Sequence, residues 1–74
     1  MTAADAIRRI MDKQGVRFND LAARIGIAPN TLAGRLKSQN ISIEKLDEVR
    51  EALGYGIVVV PIGTELEPGE YDIE

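Results

Sequence analysis

The tightest constraint on this chain lies between Phe18 and Lys37, where Leu21-Ala22, Ile25-Gly26-Ile27, Ala28-Pro29-Asn30-Thr31-Leu32 and Leu36 follow one another. Leu21 and Ile25, then Leu32 and Leu36, recur at four-residue spacing, which puts each pair on one face of a short helix. Gly26 stands just past the end of the first of these helices, where the chain commonly turns through the left-handed conformation that glycine adopts at no steric cost. Pro29 suits a first helical position, because its fixed φ fits a helix start and its missing N–H would be unpaired there. Ala22 is small where two helices cross closely. The pattern is a helix over about 18–25, a glycine turn and a helix over about 29–37, that is, a helix-turn-helix.

Helices are also expected on either side of this motif. Thr2 followed by Asp5 resembles a capping box, and Ala3, Ala6, Ile7, Ile10 and Met11 recur at helical spacing until Gly15. Ser42 is a good N-cap for a fourth amphipathic helix carrying Ile43, Leu46, Val49 and Leu53, and Gly54 ends it. Ser38-Gln39-Asn40 forms a polar loop between the third and fourth helices. The character then changes. Tyr55-Gly56-Ile57-Val58-Val59-Val60 is apolar and β-branched, and Pro61 stops it, which predicts a strand. A lone strand leaves backbone groups unpaired. Residues 65–73 could fold back on it, turning at Gly63-Thr64 or Pro68-Gly69. The favoured alternative is antiparallel pairing with the same strand of a second copy about a two-fold axis, which would also help stabilise so small a chain. The fold class is therefore mainly α: four helices with a C-terminal β-strand that pairs across a dimer. Residues 1–54 form the helical domain, 55–62 a dimerisation strand carrying Tyr55, Ile57, Val58, Val59 and Val60, and 63–74 an extended or loosely ordered acidic tail.

Composition excludes several functions. The 74 residues contain no Cys and no His, so disulfides, thiolate nucleophiles, zinc fingers and the usual neutral-pH proton carrier are absent. No catalytic group, metal site or cofactor is expected, and no Gly-rich phosphate loop occurs in a strand–loop–helix context. No apolar run approaches the roughly 20 residues of a membrane span, and the expected location is the cytoplasm. The net charge of −3 hides an asymmetry. All nine basic residues fall within 1–54, and seven of them lie within 8–37 beside only Asp12 and Asp20. Residues 55–74 hold Glu65, Glu67, Glu70, Asp72 and Glu74 and no base. Binding to a polyanion follows the local field and not the total, so residues 8–37 remain compatible with nucleic acid.

Residues 1–54 resemble the lambda-repressor/Cro-type helix-turn-helix family, also called the XRE family. The resemblance rests on Gly15-Val16, Leu21-Ala22, Ile25-Gly26-Ile27, Thr31-Leu32, Leu36, Ile41-Ser42 and the stretch from Leu46 to Ala52-Leu53-Gly54. It implies a four-helix domain that binds double-stranded DNA, usually as a homodimer on a palindrome, with the helix near 29–37 in the major groove. By position, Pro29, Asn30, Ala33 and Gly34 would face base edges. Thr31, Arg35, Lys37, Ser38 and Gln39 would lie near the DNA backbone, with Arg17 and Asn19 at the start of the second helix. Three positions depart from the family pattern. Phe18 stands where Gln is frequent, Arg17 where a Ser or Thr cap is frequent, and Arg35 where an apolar residue is common. Gly34, inside the third helix, costs about 1 kcal/mol relative to Ala.

Two classes of function follow. The leading one is a sequence-specific transcriptional regulator of bacterial or phage type. The alternative is a protein-interaction module, or an antitoxin-like protein, whose acidic tail engages a basic protein partner.

Overall fold

Thr2 opens the first helix. Its hydroxyl accepts a hydrogen bond from the Asp5 N–H at 3.2 Å, which satisfies one of the donors that a helix start leaves free. In the computed structural model, which describes residues 1–37 and 41–73, helix α1 (Ala3–Gln14) is followed by α2 (Phe18–Ile25), α3 (Pro29–Lys37) and α4 (Ile43–Ala52). Helix α1 ends at Gly15 (φ 66°), whose N–H returns to the carbonyls of Asp12 and Met11. Ser42 caps α4 by accepting from the Lys45 N–H at 3.3 Å. Helix α2 begins at Arg17 with no side-chain cap, as the missing Ser or Thr implies.

The helices close around one core. Ile7, Ile10 and Met11 of α1, Leu21 and Ala22 of α2, Leu32 and Leu36 of α3, and Val49 and Leu53 at the end of α4 are buried together. Leu21, Leu32 and Val49 have no accessible surface and mark its centre. Polar links fasten the helix ends. Gln14 donates to the Leu53 carbonyl at 2.8 Å, tying the end of α1 to the end of α4. Arg50 donates to Asp47 and to the Tyr55 carbonyl, which holds the chain as it leaves α4. Among the described residues, no helix is long and apolar enough to cross a membrane.

The C-terminal segment departs from expectation. No strand forms among the described residues, so the sequence-predicted strand over 55–60 finds no partner within the chain. The physical reason is that a β-branched run sets a backbone preference, whereas a strand also needs a second row of donors and acceptors. Ile57, Val58, Val59 and Val60 lie exposed, with Val59 fully so. Tyr55 does not belong with them. It packs against the core, and its hydroxyl donates to the Gly69 carbonyl at 2.9 Å. The chain does turn back at both positions the sequence offers. Thr64 N–H donates to the Pro61 carbonyl at 3.2 Å and Glu70 N–H to the Glu67 carbonyl at 3.0 Å, with Gly63 and Gly69 at positive φ. This return brings Tyr71 onto the core, its ring 6.4 Å from that of Tyr55. The terminal amino group then donates to the Asp72 carbonyl at 3.4 Å. The tail, expected to be loose, is therefore fastened near its end by two tyrosines.

Candidate nucleic-acid interface

The turn between α2 and α3 is built as the sequence indicates. Gly26 takes φ 84°, and its N–H bonds to the carbonyls of Ala22 and Ala23. The Ile27 N–H also returns to Ala22, at 3.0 Å, which turns the chain sharply. Ala28 then accepts from the N–H groups of Thr31 and Leu32, and Pro29, which has no N–H, leaves one fewer donor to satisfy at the start of α3.

Helix α3 has two opposed sides. Leu32 and Leu36 point into the core. Pro29, Asn30, Thr31, Gly34 and Lys37 are exposed, and Ala33 is half-buried. The exposed side therefore carries one amide, one hydroxyl and one ammonium group on a low, largely neutral surface. Arg17 and Asn19 are exposed at the start of α2. Ser38 and Gln39, the remaining sequence-derived candidates, lie outside the described residues, as does Asn40.

Arg35 does not join the exposed side. Its Nη1 donates to Glu48 Oε2 on α4 at 2.7 Å, and its side chain is only 13% exposed against 55% for Glu48. The family resemblance implies a place near the DNA backbone for this guanidinium. The structure directs it to a neighbouring helix, because position 35 lies on the flank of α3 beside Leu32 and Leu36. The sequence held one signal of this: Arg35 occupies a position where an apolar residue is common in the resembling family.

The fastenings of α3 come from distant helices. Arg8 of α1 donates to the Leu36 carbonyl at 3.3 Å, supplying a partner and a positive charge at the negative end of α3. Glu48 completes the set from α4. Neither pairing has a local sequence signal, since 28 residues separate Arg8 from Leu36 and 13 separate Arg35 from Glu48. Arg24 of α2 donates to the Ala52 carbonyl at 3.4 Å and so reaches toward the end of α4.

Helix α3 is thus held from behind by its leucines, by Arg8 and by Arg35, while its opposite face stays open. A family model described as the Cro/C1-type HTH DNA-binding domain matches residues 6–57, which takes in α2, α3, α4 and most of α1. Comparisons with curated proteins and with solved structures found no match. With most of α1, all of α2 to α4, the glycine turn and the open face of α3 lying within the matched residues, the chain belongs to the Cro/C1-type helix-turn-helix family of DNA-binding domains.

Proposed function

We propose that the protein is a sequence-specific transcriptional regulator of bacterial or phage type that reads the major groove with α3. The observation that carries this reading is the division of α3 into a buried leucine side and an open side bearing Pro29, Asn30, Ala33, Gly34 and Lys37. Asn30 is the base reader of this set, because a carboxamide can donate to and accept from adenine at once. Lys37, Thr31, Arg17 and Asn19, with Ser38 and Gln39, contact the phosphates. Arg35 takes a different role from these, holding α3 on α4. Affinity for random duplex DNA should fall linearly on a log–log plot against salt, as counterions released by phosphate contacts require. Affinity that does not change with salt would count against the whole reading. Asn30→Ala should relax the sequence preference at one base pair per half-site, and an unchanged preference would remove Asn30 from base readout.

The regulator acts as a homodimer joined through residues 57–60. Their support is exposure: four successive apolar side chains in a segment that forms neither helix nor strand among the described residues. Antiparallel pairing about a two-fold axis would cover them and set two α3 helices on half-sites about 10 base pairs apart. Val59→Pro tests this, since Val59 is fully exposed and touches no core residue, while proline deletes a ladder donor. Sedimentation equilibrium should show the wild type at twice the chain mass and Val59→Pro shifted toward monomer, with the helical circular dichroism intact. A monomeric wild type at micromolar concentration would end the dimer reading.

A second reading assigns a basic protein partner to the tail, as in an antitoxin. It draws on Glu65, Glu67, Glu70 and Asp72, which form no salt bridge with the chain's own Arg or Lys residues among the described residues.

A further inference from the structure

Six of the seven glycines in this chain need no external explanation. Gly15, Gly26, Gly54, Gly63 and Gly69 all adopt positive φ, where a side chain would be strained. Gly56 lies outside any helix. Gly34 is different. It sits inside α3, where glycine is a poor helix former, and its φ is not in the left-handed region. A Cβ built at Gly34 meets no atom within 4 Å, so no neighbouring side chain requires its absence. Free, the protein would be more stable with alanine there.

From this we infer that Gly34 is a steric specificity element: the edge of a base pair occupies the space where a Cβ would stand, in van der Waals contact with the α3 backbone. The inference rests on the DNA-binding reading above and deepens it. Helical Cα–Cβ bonds tilt toward the helix N-terminus, so a side chain at position 34 would lean over the preceding turn, where Asn30 sits four residues back. Leaving position 34 bare lets the helix settle deep enough for the short Asn30 side chain to reach a base. The neighbouring residues agree: exposed Asn30 and half-buried Ala33 are both short, and Lys37, the long side chain on this side, stands at the last position of the helix.

Gly34→Ala tests the idea with two readouts that should move in opposite directions. Thermal unfolding of the free protein should shift upward by about 4–8 °C, from helix propensity alone. Affinity for a duplex selected by the wild-type protein should fall about tenfold or more, with a smaller loss on random duplex, where fewer base contacts are made. A raised melting temperature with unchanged affinity for the selected duplex would overturn the inference and leave Gly34 merely tolerated. An unchanged or lowered melting temperature would overturn it too, because the free chain would then require the glycine. Failure of the DNA-binding reading itself is distinguishable. It would be seen in the wild-type protein, as an absence of salt-dependent duplex binding, before any variant is made.

Discussion

Leu32→Ala should cost about 2–5 kcal/mol, enough to remove most of the stability expected of a domain this small. Leu32 has no accessible surface and belongs to the buried cluster that α2, α3 and α4 share. Truncating it leaves a cavity where helices meet, and a chain of this size has little further core with which to collapse around it. In urea, monitored by circular dichroism, the midpoint should drop sharply or the native baseline should disappear. Lys37→Ala, on the open side of the same helix, should leave the midpoint within about 0.5 kcal/mol of wild type. A Leu32→Ala protein destabilised by less than about 1 kcal/mol would show that α3 is not seated as described.

Arg35→Ala should have the second largest effect, about 1–2 kcal/mol on stability, because it removes both a packed aliphatic stem and the link to Glu48. Glu48→Gln, which keeps a hydrogen-bond acceptor near Arg35, should cost less. The two changes should be non-additive, since they break one interaction. Their effects on DNA binding separate two roles for Arg35. A phosphate ligand restrained by Glu48 would be released by Glu48→Gln, and binding would tighten. A residue that positions α3 would be loosened by it, and binding would weaken. The second result is expected. Salt dependence gives an independent check. Arg35→Ala should lower affinity with the slope against salt unchanged, whereas Lys37→Ala should flatten that slope by about one. A flattened slope in Arg35→Ala would return its guanidinium to the DNA backbone.

The positions of the four helices were legible because their signals are local. Thr2 and Ser42 cap their own helices, Gly15 and Gly26 turn through positive φ, and Pro29 starts α3. The open side of α3 was legible for a related reason: helical periodicity assigns Leu32 and Leu36 to the core and leaves 30, 31, 34 and 37 away from them. At Arg35 the same periodicity was insufficient. A flanking position faces a neighbour or solvent according to how the next helix crosses, and that crossing depends on the whole core.

Taken alone, then, the sequence determined the helices, their order, the glycine turn and the face of α3 that points away from the leucines, since each follows from backbone preferences and spacing within a few residues. Tertiary structure alone decided that Arg8 and Glu48 secure α3, that Arg35 turns toward α4, and that Tyr55 and Tyr71 fasten the acidic tail to the domain. These pairings join residues up to 28 positions apart in the case of Arg8 and Leu36, and their partners become known only when the helices have packed. The apolar segment over 57–60 shows the same division. Its extended preference is local, but a strand needs a second strand, and sequence pattern does not say where that partner is.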